Sequence, residues 1–360
     1  MPNIALQRLY NQQLEQTSLK TPGEAVNWLG AVQAQEYAGA KWALGLRLQG
    51  FTDVDIEPYF TDGTILRTHV MRPTWHFVTP ADIRWILDLT APRVHAVNAY
   101  MYRQCELDDA IFQRSNEAIA KALQGGNQLT RAELAAALAQ IDIEAEGVRL
   151  SYVMMHAELD GVICSGARRG KQFTYALLDE RAPHARILER DEALAELTQR
   201  YFTSHGPATV DDFAWWSGLT KADVRAGLDM VGSQFVHEYI DGRTYWFPES
   251  TPVAPKASHT AYLLPTYDEL IIGYTDRSAL FDASQTDDLN PRGRSMVFDS
   301  MIVIDGQIVG SWRRTFSKGA VVIETHALRT FSAAETDAII AAAQRFGEFL
   351  QTPVEIDLSN

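Results

Sequence analysis

The sequence places two carboxamides one apolar residue apart at Gln33-Ala34-Gln35, and further along sets a hydroxyl and an imidazole either side of an indole at Thr74-Trp75-His76. A glutamine carbonyl can accept a hydrogen bond from water and present it in a fixed direction, but an amide cannot ionise to deprotonate that water. Such a pair can therefore drive hydrolysis only where the leaving group is activated before reaction. Residues two apart on an α-helix point roughly oppositely, so for both amides to share one water the motif must straddle a helix end. A helix started at Thr21 is expected to run out near Gln33, with Gly39 just beyond. Taken alone, Gln33 and Gln35 also read as ordinary polar residues at a helix terminus. His76 is either an orienting or protonating group or a hydrogen-bonded histidine packed in a hairpin. Asp62 and Asp268 are candidate carboxylates that could equally fix turns, and Tyr37, Trp42 and Trp75 either line a pocket or sit in the core.

The elements that must hold these groups announce themselves through repeated helix starts, each a Thr whose hydroxyl can cap the N–H three residues on, where an acidic residue returns the bond. They are Thr21-x-x-Glu24, Thr79-x-x-Asp82, Thr130-x-x-Glu133, Thr209-x-x-Asp212 and Thr220-x-x-Asp223. Within 189–255 three helical patterns precede a hairpin turned by Asp241-Gly242, which is the order of a winged helix. A second copy is expected within 106–188, its hairpin tipped by Arg168, Arg169 and Lys171, and a third within 1–105. From 256 to 360 the texture becomes strands, with a hairpin turn at Asp305-Gly306 and an amphipathic helix near 332–350. The expected fold is α+β: three tandem winged-helix units followed by a small C-terminal β-barrel-like domain.

With 46 acidic against 32 basic residues the formal charge is −14, which argues against a protein that coats nucleic acid nonspecifically. Cations nonetheless cluster at Arg168, Arg169 and Lys171, at Arg292 and Arg294, and at Arg313, Arg314 and Lys318, either as a local basic face or as solvated turns. The two cysteines, Cys105 and Cys164, lie far apart with no Cys/His spacing, so neither a disulfide framework nor a structural zinc site is indicated. No signal-like N-terminus and no membrane-length apolar run is present, and a soluble cytoplasmic chain is expected. P-loop, dinucleotide, metalloprotease, serine-hydrolase and EF-hand patterns are all missing, so no nucleotide cofactor or catalytic metal is expected.

Four stretches resemble a known family, the AlkZ/YcaQ-type winged-helix DNA glycosylases. They are Val32-Gln33-Ala34-Gln35, the run from Leu66 to His76, His205-Gly206-Pro207-Ala208-Thr209 leading to Trp216-Ser217-Gly218, and the run from Leu263 to Arg277. The resemblance implies hydrolysis of the N-glycosidic bond of N7-alkylated purines, including interstrand crosslinks. It places Gln33 and Gln35 at the catalytic water, with Thr74 and His76 nearby, and implies double-stranded DNA as the partner of a monomeric, cofactor-free enzyme. Arg72, Arg168, Arg169, Lys171, Arg313 and Arg314 are the expected DNA contacts. The chemistry agrees: cleavage builds positive charge on the sugar, usually met by a carboxylate, whereas a cationic N7-alkylated base departs with less help. A noncatalytic winged-helix binder, a regulator or lesion sensor, is the alternative.

Overall fold

The computed structural model describes residues 3–249, 259–281, 299–317 and 319–359, so the expected cations Arg292, Arg294 and Lys318 lie outside the described residues. Helix α1 (Ile4–Asn11) is capped by the Asn3 side chain, and α2 (Pro22–Leu29) by Thr21 with Pro22 leading the first turn. Gly30 ends α2 at φ 81°, a left-handed value that costs glycine little. The chain then enters strand β1 (Val32–Gln33). The glutamine pair therefore does not straddle the end of the helix begun at Thr21, as the sequence suggested, because the glycine stops that helix short of it.

Helices α3 (Tyr37–Leu46) and α4 (Asp53–Thr61) follow, then strands β2 (Leu66–His69) and β3 (Trp75–Val78). The three strands pair antiparallel in the order β1-β3-β2, with Gln33 opposite His76. The 22-residue helix α5 (Ile83–Gln104) leads away to α6 (Asp109–Leu123), β4 (Leu129–Thr130), α7 (Arg131–Ala139), α8 (Gly147–Leu159), β5 (Ile163–Ser165) and β6 (Thr174–Leu177). Here the sheet order is β4-β6-β5. A short α9 (Leu178–Arg181) precedes α10 (Arg190–His205), α11 (Val210–Ser217), α12 (Lys221–Val231) and the hairpin β7 (Phe235–Ile240) with β8 (Arg243–Pro248). One order thus recurs: helix, strand, two helices, two strands, the first strand pairing with the last. In the third instance the first strand shrinks to a single bridge between Ala208 and Trp246.

Three of the expected caps, Thr130 with Glu133, Thr209 with Asp212 and Thr220 with Asp223, form reciprocal capping boxes. Thr79 and Asp82 do not, since the buried Asp82 carboxylate is taken by Trp85 and Arg200 and α5 starts only at Ile83. Asp241-Gly242 and Asp305-Gly306 adopt paired positive φ values, 48° and 81°, 49° and 79°, as tight hairpin turns require.

The C-terminal part contains β9 (Ala261–Leu264), α13 (Glu269–Ile272), β10 (Met301–Ile304), β11 (Gln307–Ser317), β12 (Ala320–Ala327), α14 (Ala333–Leu350) and β13 (Val354–Ser359). The expected barrel-like closure is absent among the described residues: the strands form an open sheet in the order β13-β12-β11-β10-β9. After α14 the chain returns as β13 parallel to β12, on the edge away from β9. The apolar face is covered instead by α14 and by α3, where Trp42 meets Phe346 and Phe349 at ring distances of 5.0 Å. One core accordingly joins N-terminal residues such as Leu9, Val32 and Phe77 to Leu263, Ile302 and Phe346. A second joins α5 to α10–α12, and a third fills 107–175. No helix among the described residues is long and apolar enough to cross a membrane. Both cysteines are free thiols.

Candidate active site

Strand β1 delivers the amide motif to the seam between the first sheet and the C-terminal part. The Ala34 N–H donates to the Trp75 carbonyl at 2.7 Å, fixing the motif against β3. Gln33 is only 5% exposed. Its backbone N–H donates to Glu269 Oε1 at 2.7 Å, and its side-chain Oε1 accepts from Arg72 Nη2 at 2.7 Å. A carboxylate thus holds the residue's backbone and a guanidinium holds its side chain. An sp² oxygen has two lone pairs, so Gln33 Oε1 keeps one acceptor position beyond Arg72.

Glu269, at the start of α13, is fully buried, accepts the Trp216 indole N–H at 2.8 Å and faces His205 Nε2 at 3.4 Å. Burial alone would raise its pKa, but His205, the Gln33 N–H and the Trp216 N–H outweigh it and hold the carboxyl below the usual range. The neighbouring His205 moves down because burial disfavours its charged form. Burial also brings Arg72 down to about 10, against the attraction of Glu269, so it stays protonated at neutral pH.

Gln35 is exposed and lines an open cleft of about 660 Å³ together with Arg67, Trp75, Arg131, Lys171 and Phe173. One wall comes from the first sheet and the other from the second, joined where the Arg67 N–H donates to Ser165 Oγ at 2.8 Å. The Gln35 amide oxygen accepts from the Trp75 N–H at a long 3.4 Å. Arg67 is wedged between the Trp75 and Phe173 rings, 4.2 and 4.7 Å from their centroids, and its Nε donates to the Ala34 carbonyl at 3.1 Å. Desolvation lowers this guanidinium to about 10, opposed by Glu158, so it too is a cation at neutral pH. The cleft can therefore offer a water-holding amide beside positive charge.

The hairpin cations divide by position. Lys171 is exposed at the tip between β5 and β6; Arg169 is exposed but paired with Glu133 at 2.8 Å. Arg168 folds back over Tyr37 and Phe173, 3.5 Å from Glu57. On β11, Arg313 is exposed in a shallow hollow that it shares with Glu324 and Asp357, while Arg314 pairs with Glu36 at 3.2 Å. Arg72 is half-buried and directed at Gln33.

Thr74 and His76 lie on the hairpin opposite β1. His76 is fully buried and its Nδ1–H donates to the Thr74 carbonyl at 3.0 Å. Burial first, then the charge of Arg72, hold its pKa well below the ordinary value, so it is a neutral ring whose Nε2 accepts. That Nε2, the Thr74 hydroxyl and Arg72 Nε are buried without a hydrogen-bond partner among the described residues. Of the two candidate carboxylates, Asp62 accepts the Thr64 N–H in a turn, and Asp268 is locked to Arg47 by bonds of 2.8 and 3.0 Å. Trp42 is core and Tyr37 packs on Phe60, Phe77 and Phe173, which leaves Trp75 as the indole of the cleft. Sequence reasoning passed over Glu269 and Arg67, although both fall within the stretches whose wording was informative.

The chain belongs to the AlkZ-like DNA glycosylases: the family model described as "DNA glycosylase AlkZ-like" matches residues 26–349. A relative from Streptomyces sahachiroi, "Interstrand DNA cross-link repair glycosylase", is 25% identical over 319 residues, 85% of each chain. The solved structure of Streptomyces sahachiroi DNA glycosylase AlkZ shares the mixed α+β fold, with a TM-score of 0.81 at 21% identity over 99% of this chain and 98% of that one.

Proposed function

We propose that this enzyme hydrolyses the N-glycosidic bond of N7-alkylated purines in double-stranded DNA and unhooks interstrand crosslinks, as a monofunctional glycosylase. The observation that carries the reading is Gln35, exposed in an open cationic cleft two residues beyond a Gln33 clamped by Glu269 and Arg72. N7-alkylation gives the base a positive charge, so the C1′–N9 bond breaks with its electron pair neutralising the purine. Gln35 and the spare lone pair of Gln33 direct a water at C1′; the C1′–O bond forms and the water's proton leaves to solvent. This route asks for no metal, no nucleotide cofactor and no ionised base in contact with the water. An open cleft suits bulky or crosslinked adducts better than a closed base pocket.

The thrice-repeated element order supports reading 1–105, 106–188 and 189–255 as winged-helix units, with 256–360 as a C-terminal sheet domain. The hairpin bearing Arg168, Arg169 and Lys171 then acts as a wing against phosphates or the minor groove, and Arg313 supplies a further phosphate contact. Arg72 and Arg314 act locally, on Gln33 and Glu36. Two free thiols suit a reducing compartment, and we place the enzyme in the cytoplasm as a monomer.

The test incubates the protein with N7-methylguanine duplex, crosslinked duplex and undamaged duplex, followed by alkali. Strand breaks in the first two, abolished by Gln35→Ala, are expected. Absence of breaks on every substrate would leave a noncatalytic binder. Borohydride should trap no covalent adduct, even though Lys171 lines the cleft.

A further inference from the structure

We propose that His95, His156 and Asp160 form a divalent-metal site of the zinc class, which ties α5 to α8. His95 lies on α5; His156 is on the last turn of α8 and Asp160 is its C-cap residue. Each offers one ligand atom, and the three atoms lie within 4.8 Å of one another. His95 Nε2 stands 3.3 Å from Asp160 Oδ1, and His156 Nδ1 stands 3.0 Å from Asp160 Oδ2. Zinc bonds of about 2.0–2.2 Å at tetrahedral angles set neighbouring donors roughly 3.3 Å apart, and each imidazole already stands near that distance from the carboxylate.

Two imidazoles and a carboxylate at that spacing could also be a plain ion-pair cluster, but the His156 nitrogen argues otherwise. Its Nδ1 stands 3.0 Å from Asp160 Oδ2 but is not aligned for a hydrogen bond to it, and it meets no other hydrogen-bond partner among the described residues, an orientation that suits a lone pair shared with a metal. The surroundings orient all three ligands in the manner of a metal centre's outer shell. His95 Nδ1 meets the Tyr102 hydroxyl at 3.0 Å, and when it donates there the Nε2 lone pair faces Asp160. The Asn116 amide donates to Asp160 Oδ2 at 2.8 Å, leaving Oδ1 for a metal, and the His156 ring stacks on Phe112 at 3.6 Å. Three partly exposed protein ligands, one from the middle of α5 and two from the end of α8, leave a fourth position for water. None of the three lines the cleft of Gln35, but Leu150 of α8 does, so the ion would stiffen a cleft wall rather than join the chemistry.

The experiment strips the full chain with chelator and titrates it with Zn²⁺ against a chelating dye, with thermal melts in parallel. Cobalt(II) ligand-field bands give a readout of four-coordinate nitrogen and oxygen donors. One equivalent should bind and raise Tm. His95→Ala, His156→Ala and Asp160→Asn should each weaken binding at least about 100-fold and remove the Tm rise, while melting cooperatively without metal. His184→Ala and Cys105→Ser should bind as the parent does. The site is refuted if no saturable single-equivalent binding occurs, if the three variants bind undiminished, or if Cys105→Ser abolishes binding.

Discussion

Glu269 accepts the backbone N–H of Gln33 at 2.7 Å across 236 residues of sequence, while Trp216 donates to its other oxygen. The position of the amide motif therefore depends on one buried anion outside the cleft. Glu269→Gln keeps the shape but removes the charge and turns an acceptor into a donor. It should lower unfolding free energy by about 3 kcal/mol in denaturant titrations. Glycosylase turnover should fall tenfold or more, with duplex affinity little changed. Parent-like stability would show that the contact contributes nothing.

Arg72 gives Gln33 its side-chain direction. Arg72→Lys preserves the charge but loses the planar fork that reaches Oε1. We expect kcat to drop about tenfold while KM stays near the parent value. A rise in KM at constant kcat would instead mark Arg72 as a DNA contact.

Gln35→Ala should reduce single-turnover cleavage of N7-methylguanine duplex by about 10²-fold or more. Gln35→Glu should keep measurable activity, because a carboxylate also accepts from the water and faces the developing sugar cation. Equal loss in both variants would point to packing rather than water-holding at this position.

Stability should be greatest from about pH 7 to 9 and fall on the acid side. His76 and His205 have folded pKa values below the ordinary one. Below about pH 6.5 the unfolded chain takes up those protons first, so folding weakens as pH drops. Glu269 and Asp82, also lowered, add a second loss as pH falls below the ordinary carboxylate range. Tm measured against pH should show both steps, and His76→Gln should shrink the first. An unchanged profile in that variant would remove His76 from the account.

Lys171→Ala should weaken binding to damaged and undamaged duplex alike and reduce the slope of log K against log salt by about 1. Arg169→Ala should do less, because Arg169 is already paired with Glu133. Unaltered salt dependence for Lys171→Ala would take the hairpin tip off the DNA.

Local chemistry was legible in the sequence and long-range partnership was not. Asp241-Gly242, Asp305-Gly306 and the caps at Thr130, Thr209 and Thr220 need only their neighbours and form as read, whereas the Asp82 carboxylate is engaged by the distant Arg200. The boundary of α2 was misplaced because the apolar pattern ran past Gly30, whose own signal was the stronger. Asp268 and Glu269 are adjacent acids, and only folding shows that the first is locked to Arg47 and the second lies against Gln33. The C-terminal strands were visible, but closure into a barrel is decided by where β13 returns, which no strand pattern states. His95 and the His156/Asp160 pair share no sequence spacing, and become neighbours only when α5 crosses α8.

Leu9, Val32 and Phe77 share a core with Leu263, Ile302 and Phe346. During synthesis the ribosome thus releases Gln33 and Gln35 long before the strands and the anion that seat them. A chain interrupted near its midpoint would carry Gln33 and Gln35 without Glu269 or the C-terminal sheet to seat them.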